Sequence, residues 1–153
     1  MQITYKLLDH KNDEIPFQLL LLADPSKKLI DEYIESGYCF LAYMNEELVG
    51  DFVLIQTDPE IYEIVNIAVK EEYQGRGIGK QLIQKAIEEA KKLGARSLEI
   101  GTGNSSIQQL RLYQKSGFRI IAIDHDFFIR NYEEEIYEDG IQCRDMIRLR
   151  KDI

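Results

Sequence analysis

A glycine-rich segment between an apolar run and an amphipathic helix pattern constrains this chain more than any other feature. The run Val65–Val69 is apolar apart from Asn66, and Gly75, Gly77 and Gly79 follow it just before the helix pattern begins. Because glycine carries no side chain, such a loop leaves backbone N–H groups uncovered at the helix N-terminus. Uncovered N–H groups and the helix dipole both attract phosphate. The segment therefore predicts a loop that binds a pyrophosphate group.

Two common phosphate-loop patterns do not fit this segment. A Walker loop needs a glycine five residues before its Gly-Lys pair and a Ser or Thr directly after it, but Gln74 and Gln81 occupy these positions. A Rossmann fingerprint needs a third glycine where this chain has Lys80. The spacing Gln/Arg-x-x-Gly-x-Gly/Ala remains, and Gln74, Gly77 and Gly79 match it. The loop therefore favours a phosphate-bearing ligand other than ATP or a dinucleotide.

Length and apolar content indicate one globular domain over residues 1–153. The chain lacks a run of about 18 apolar residues, so we expect no membrane partner. Its first residues, Met1–Lys6, do not resemble a signal peptide. Cys39 and Cys143 are too few for a disulfide framework and lack metal-ligand spacing, so we expect reduced core thiols in a cytoplasmic protein.

The formal net charge of −8 argues against nucleic acid as a partner, because phosphate contacts need clustered Lys and Arg. It suits a cationic substrate such as an amine. The acidic stretches Asp124–Asp126 and Glu133–Glu135 are typical of a solvated surface. His10 and His125 are isolated, and we expect no metal site.

Strand signals and helix signals alternate in an order typical of an α+β domain with a mixed sheet. The turn residues Asn45-Glu46-Glu47 predict a hairpin between two early strands, and Asp139-Gly140 predicts a later turn. The predicted strands are Ile3–Leu8, Tyr38–Met44, Leu48–Gln56, Ile61–Val69, Ser97–Gly101, Phe118–Ile123 and Ile141–Leu149.

Three helices are predicted from apolar residues at helical spacing. Asp24 followed by Pro25 predicts the N-cap of the first helix. Glu88 and Lys92 predict an i,i+4 ion pair on the second. The third helix is predicted to open with a capping box formed by Ser105 and Gln108. The three helices are predicted to stop at Gly37, Gly94 and Gly117.

Four segments in order resemble the GNAT family of N-acetyltransferases. Glu63–Val69 is similar to the family's central strand, and Gln74–Gly79 is similar to its pyrophosphate loop. Asn104 follows the next strand, as an Asn commonly does in the family, and Leu112–Phe118 matches its Leu-Tyr-x-x-x-Gly-Phe signature. The match is strongest between residues 63 and 118, whereas the first 60 residues match only in the order of elements.

The resemblance implies a GNAT-like fold with a mixed, mostly antiparallel central sheet of about six or seven strands and helices on both faces. It implies acetyl-CoA as co-substrate, with its pantetheine arm between two splayed strands and paired with backbone groups near Ile67 and Val69. Gln74 would hold the loop, and Arg76 or Lys80 would offset the phosphate charge, although Arg76 can equally be a solvated loop residue. The pyrophosphate would lie on the amides of Gly75, Gly77, Gly79 and Lys80.

Acyl transfer to an amine needs a proton acceptor for the amine and a proton donor for the leaving thiolate. Glu63 is the candidate base, directly or through water, on the expectation that it shares a largely apolar strand face with Val65, Ile67 and Val69. A bulge in this strand would change the face on which Glu63 lies. The alternative is that Glu63 only orders solvent at the strand mouth. By resemblance Tyr113 is the candidate acid, and its alternative is a core aromatic. Asn104 is expected to bind the pantetheine arm or to cap the next helix.

The leading hypothesis is therefore an N-acetyltransferase that uses direct transfer in a ternary complex, since no Cys lies in a motif typical of an acyl-enzyme. The acceptor would be a primary amine on a small molecule or on a protein, and the acidic balance favours a polyamine or aminoglycoside-like cation. A homodimer is plausible, as in many family members. The alternative function is a non-catalytic acyl-CoA-binding sensor.

Overall fold

The central sheet of the computed structural model, which describes residues 2–153, has seven strands. Their order across the sheet is β1-β2-β3-β4-β5-β9-β6, and every neighbouring pair is antiparallel except β4 and β5. A separate two-stranded hairpin is formed by β7 and β8. The strands are β1 (Thr4–Leu7), β2 (Tyr38–Met44), β3 (Glu47–Asp58), β4 (Ile61–Val69), β5 (Ser97–Gly103), β6 (Arg119–Asp124), β7 (Tyr137–Glu138), β8 (Ile141–Gln142) and β9 (Met146–Asp152).

Helices cover both faces of the sheet, which confirms the predicted layered α+β architecture. On one face α3 buries Ile78, Leu82 and Ile83 against β3, β4 and β5, and α4 adds Tyr113 to the same cluster. On the other face Leu20 of α1 and Ile30 of α2 pack in a second cluster. The helices are α1 (Phe17–Leu20), α2 (Lys27–Ser36), α3 (Ile78–Lys92), α4 (Ile107–Lys115) and α5 (Phe127–Asn131), and a 3₁₀ turn spans Glu71–Tyr73.

The hairpin between β2 and β3 turns where it was predicted. Asn45 and Glu46 have positive φ angles of 51° and 68°, as a two-residue hairpin turn with right-handed twist requires. The next strand resumes at Glu47, one residue earlier than predicted, because a two-residue turn needs no third residue.

Two predicted helix caps were wrong by one or two positions. The N-cap of α2 is Ser26, whose Oγ accepts the Leu29 N–H at 3.2 Å, while Asp24 lies two residues earlier and accepts the Ser26 N–H at 3.0 Å. The N-cap of α4 is Ser106, and Ser105 lies outside the helix. In both cases a second short polar residue lies within two positions of the predicted cap, and the composition alone does not distinguish them.

A predicted ion pair and a predicted strand also differ from the structure. Lys92 pairs with Glu89 at 3.5 Å instead of Glu88, so the contact is i,i+3. The predicted strand Ile141–Leu149 is divided into β8 and β9 at residues 143–145. Arg144 and Asp145 donate their backbone N–H groups to the Asn104 side chain at 2.8 and 3.0 Å, which bends the chain away from a continuous ladder.

Two short helices, α1 and α5, were not predicted. They have four and five residues, which is too few for a helical period to repeat.

Candidate functional site

A gap opens between β4 and β5, the only parallel neighbours in the sheet. Their pairing covers only Ile61–Ile64 with Ser97–Ile100. Beyond that point residues 66–69 pair with β3 alone, and residues 101–103 pair with β9 alone. The facing edges therefore leave backbone N–H and C=O groups available to a ligand that can act as a missing strand.

A bulge in β4 lies where the gap begins. The register with β3 passes from Val53–Asn66 to Leu54–Ile64, so Val65 has no partner of its own. Val65 therefore packs in the cluster under α1 and α2, while Ile67 packs in the cluster under α3. A bulge reverses the side-chain alternation on its two sides.

A cavity of about 830 Å³ runs from the glycine loop through this gap to the α1–α2 connection. This volume is in the range of cavities that bind small molecules and cofactors. Eight of the eleven residues predicted for the site line it, namely Ile67, Val69, Gln74, Gly75, Gly77, Gly79, Lys80 and Tyr113.

The glycine loop has the conformation that phosphate binding needs. Gly75 and Gly77 have φ angles of 78° and 80°, and no atom lies within 4 Å of the position a Cβ would take on either residue. Gln74 Nε2 donates a hydrogen bond of 3.0 Å to the Val69 carbonyl, which ties the loop back to β4. The amides at the start of α3 are thus open to an anion, and Lys80 adds a positive charge to the cavity wall.

Arg76 lies apart from this wall. Its guanidinium stacks 5.1 Å from the centroid of the Tyr73 ring, and Arg76 is absent from the residues that line the cavity in the described part of the chain. On α4, Arg111 and Lys115 line the cavity instead, and sequence reasoning missed both. Their spacing of four residues on one helix face is the signal that could have indicated them.

Tyr113 is buried in α4 with only 4% of its surface exposed, and its ring packs against Phe118. Its hydroxyl has no hydrogen-bond partner within residues 2–153, although the residue lines the cavity. Burial raises the pKa of Tyr113 above its ordinary value, so the hydroxyl keeps its proton at neutral pH. It is therefore a group that can donate a proton or a hydrogen bond into the cavity.

Glu63 does not share a strand face with Ile67, so that expectation was wrong. The bulge at Val65 places Glu63 on the opposite face, where its carboxylate pairs with Arg148 at 3.2 Å. Arg148 also pairs with Glu99 at 3.3 Å, which in turn pairs with Arg150. Glu63 is partly buried, with 17% of its side chain exposed, but it is not among the described residues of the cavity wall.

Asn104 supports the loop between β8 and β9, and the prediction that it caps α4 was wrong. Besides accepting the Arg144 and Asp145 N–H groups, it donates a 3.1 Å hydrogen bond from Nδ2 to the Gln142 carbonyl. These bonds link the end of β5 to residues about 40 positions later, and a sequence pattern does not show such pairs. Asn104 is absent from the cavity wall within residues 2–153.

A polar network that the sequence did not indicate surrounds the other end of the cavity. The Asp24 carboxylate accepts hydrogen bonds from the hydroxyls of Tyr33 at 3.2 Å and Tyr132 at 3.0 Å. Asn66 Nδ2 donates to the Tyr33 hydroxyl at 2.9 Å and to the Leu20 carbonyl at 3.0 Å. The network joins β4, the α1–α2 segment and the segment after α5.

Asp51 is a second polar residue that the sequence did not indicate. It is fully buried between Leu41 and Ala68 in the sheet, and neither carboxylate oxygen has a hydrogen-bond partner within residues 2–153. Burial therefore raises the pKa of Asp51 well above its ordinary range. We expect this carboxyl to be neutral at neutral pH.

Cys143 and Glu138 also line the cavity and were not predicted there. Cys143 is buried, as expected, and burial raises the pKa of its thiol.

No group of three or more metal-ligating side chains occurs within residues 2–153. None of the helices described in the structure is long and apolar enough to cross a membrane.

Comparison with known proteins identifies the protein family that has this fold. The model of the acetyltransferase (GNAT) family matches residues 6–118. The uncharacterized N-acetyltransferase YvbK of Bacillus subtilis is 60% identical over 152 residues, which cover 99% of this chain and 97% of that protein.

Two solved structures share the complete fold. A Bacillus subtilis acetyltransferase in complex with CoA is 60% identical, with a TM-score of 0.93 and 99% of both chains covered. A GNAT family acetyltransferase from Elizabethkingia anophelis with acetyl-CoA bound is 51% identical, with a TM-score of 0.96 and coverage of 99% of this chain and 98% of that chain.

Proposed function

Because the chain belongs to the GNAT family and is an acyl-CoA-dependent N-acetyltransferase, we propose that it transfers the acetyl group directly to a primary amine in a ternary complex. The observation that carries this proposal is the continuous cavity through the β4–β5 gap. A cofactor at one end and an acceptor at the other can meet there without a covalent enzyme intermediate. Acetyl-CoA supplies a thioester, which an amine can attack.

The residues of the glycine loop fit the phosphate end of acetyl-CoA. We assign the pyrophosphate to the amides of Gly75, Gly77, Gly79 and Lys80, because these residues line the cavity at the start of α3 and the left-handed Gly75 and Gly77 have open space at their Cβ positions. Backbone groups near Ile67 and Val69 border the unpaired edge of β4 and fit an extended arm. We now assign charge compensation to Lys80, Arg111 and Lys115, since Arg76 stacks on Tyr73 outside the wall.

Tyr113 is proposed as the proton donor to the leaving sulfur. Its buried hydroxyl keeps its proton, has no partner in the described residues, and belongs to a residue of the cavity wall. General acid catalysis of this kind contributes about 10²- to 10⁴-fold to the rate. A backbone N–H near Val69 is proposed to stabilise the charge that develops on the acyl oxygen.

Glu63 is proposed to take the proton of the amine through water. Direct contact is disfavoured because Glu63 is absent from the described cavity wall and pairs with Arg148. Cys143 is not assigned a covalent role, because burial raises the pKa of its thiol and a neutral thiol is a poor nucleophile. Asn104 is assigned to the β8–β9 loop and not to the cofactor.

The acceptor is proposed to be a primary amine, on a small molecule or on a protein, and the homodimer stays a prediction. The test is release of free thiol from acetyl-CoA in the presence of 2-phenylethylamine, spermidine, kanamycin or a peptide with a free N-terminus. Wild-type protein should release thiol with at least one amine, and Tyr113→Phe should lose most of that rate while binding CoA normally. Equal rates for the two proteins would contradict the role of Tyr113.

A further inference from the structure

One acidic side chain, Glu138 of β7, lines the cavity, and it is the only Asp or Glu on the wall within residues 2–153. Glu138 contacts Ser106 at the N-terminus of α4, whereas Lys115 lies at the end of that helix. Nine residues of helix separate these positions by roughly 13 Å. Glu138 therefore lies at the opposite end of α4 from Lys115, and Arg111 lies between them, five residues along the helix from Ser106.

Two serine hydroxyls fix the orientation of the Glu138 carboxylate. Ser105 Oγ and Ser106 Oγ both donate to Oε1, at 3.0 and 2.6 Å. Ser105 is itself only 2% exposed, so the pair is anchored in the protein and not on its surface. The second oxygen, Oε2, has no hydrogen-bond partner in the part of the chain that the structure describes. A carboxylate held in this way can accept a charge-assisted hydrogen bond from a ligand.

Besides the two serines, apolar side chains line the cavity near this carboxylate. The Phe128 ring and Ser106 Oγ are both close to Gly103, since each would lie 3.6 Å from a Cβ placed on that residue. Because Ser106 Oγ binds Glu138, the Phe128 ring is adjacent to the Glu138 site. The Tyr132 ring stacks on Phe128, and its hydroxyl reaches Asp24, which joins this region to the α1–α2 connection. The apolar residues contributed by the two segments are Leu21, Leu22, Ala23, Pro25, Phe128 and Ile136.

We infer that Glu138 binds the ammonium group of the acceptor, and that the acceptor is a monoamine with an apolar carbon skeleton. One free carboxylate oxygen matches one ammonium group, and the apolar walls match an aryl-alkyl or alkyl body. This inference rests on the proposed function, because it assigns the acceptor amine to one end of the cavity that the proposed function assigns to acetyl-CoA and its acceptor. It departs from the polyamine or aminoglycoside-like acceptor that the net charge favoured, since the cavity wall offers a single carboxylate within residues 2–153.

A purely structural role for Glu138 makes a different prediction. The carboxylate could serve only to join the β7–β8 hairpin to the two serines. Glu138→Gln separates the two roles, because a glutamine oxygen still accepts both serine hydroxyls while the negative charge is lost. A structural role predicts little change in ligand affinity for this variant.

The test is calorimetric titration of 2-phenylethylamine and 2-phenylethanol into CoA-saturated wild-type protein and Glu138→Gln. The two compounds have the same apolar body, and only the first carries an ammonium group. We expect the variant to bind 2-phenylethylamine about tenfold or more weakly, because a hydrogen bond to a charged group is lost. Binding of 2-phenylethanol should be the same in both proteins, and Ser106→Ala should weaken amine binding less than Glu138→Gln does.

Equal affinity of the two proteins for the amine would overturn the role of Glu138. Absence of binding of either compound to wild-type protein that binds CoA would overturn the proposed acceptor class. Both outcomes leave the transferase assignment intact, because CoA binding is measured in the same experiment. Failure of folded wild-type protein to bind CoA would instead count against the proposed cofactor site.

Discussion

The cofactor half of the site, residues 65–118, and the acceptor half, residues 17–38 and 124–145, are built by different means. In the cofactor half, neighbouring residues determine the geometry: a strand edge, a left-handed glycine loop and the first turn of α3 follow one another directly. In the acceptor half, side chains far apart in sequence hold the segments together, such as Tyr132 and Asp24, which are 108 positions apart.

This difference explains why a ligand common to the family is easier to recognise than the acceptor. Backbone amides bind pyrophosphate, so the cofactor half needs a particular spacing of glycines. The acceptor half needs only that a few side chains converge, and many sequences can achieve this. Substitutions should therefore affect the two halves separately. Of four predictions, ordered from the largest expected effect to the smallest, three test that separation, and one concerns Asp51, which lies outside both halves.

Removing the Tyr113 hydroxyl should have the largest effect. Tyr113→Phe is expected to lower kcat by about 100-fold or more, because a general acid is lost while the buried ring is retained. Its affinity for CoA, measured by calorimetry, should equal that of wild type. A parallel loss of CoA affinity would mean that Tyr113 supports cofactor binding and not chemistry.

A methyl group in the phosphate loop should weaken the cofactor half alone. Gly77→Ala is expected to reduce CoA affinity by about tenfold, because the methyl group enters the open space beside the loop amides. The left-handed φ also costs about 1 kcal/mol in stability for a residue with a Cβ.

Gly94→Ala is the matched control for this strain. Gly94 has a φ of 95° and open space at its Cβ position, but it follows α3 far from the loop. Urea unfolding should show similar destabilisation of the two variants, and only Gly77→Ala should bind CoA more weakly. Equal CoA affinities for the two variants would contradict the assignment of the loop.

The buried Asp51 should make the protein less stable as the pH rises. The pKa of Asp51 is raised in the folded state, whereas in the unfolded chain it has the ordinary carboxyl value of about 3.9. Between these two pKa values the folded protein binds one proton more than the unfolded chain, so the free energy of unfolding falls as the pH rises. The free energy of unfolding of wild type should therefore fall relative to Asp51→Asn by up to about 1.4 kcal/mol per pH unit between pH 5 and 8. Urea unfolding of both proteins across this range measures the difference, and a constant difference would show that Asp51 is ionised in the fold.

Loosening the acceptor half should have the smallest effect. Tyr132→Phe removes one hydrogen bond to Asp24 and is expected to cost about 1 kcal/mol of stability. The KM for the amine should rise a few-fold, while the KM for acetyl-CoA stays unchanged, because Tyr132 is not among the described residues of the cavity wall. A change in the KM for acetyl-CoA alone would contradict the separation of the two halves.

Much of the fold and of the cofactor half could be predicted from the sequence, because both depend on local patterns. β2 and β4 have the predicted bounds. The bulge at Val65 changes the face on which Glu63 lies, and no residue pattern in the strand marks its position. The partners of Asn104 and Glu138, and the polar network around Asp24, depend on contacts over 30 to 108 positions, which one sequence does not reveal.

Direct transfer across the gap is tested most directly by the intact mass of the protein. Wild type and Cys143→Ser are incubated with acetyl-CoA before and after addition of an amine, and free thiol is measured in parallel. Direct transfer predicts that the protein mass stays unchanged throughout and that thiol release begins only when the amine is present. An acetylated protein that forms with thiol release before the amine is added, and that is absent in Cys143→Ser, would contradict direct transfer.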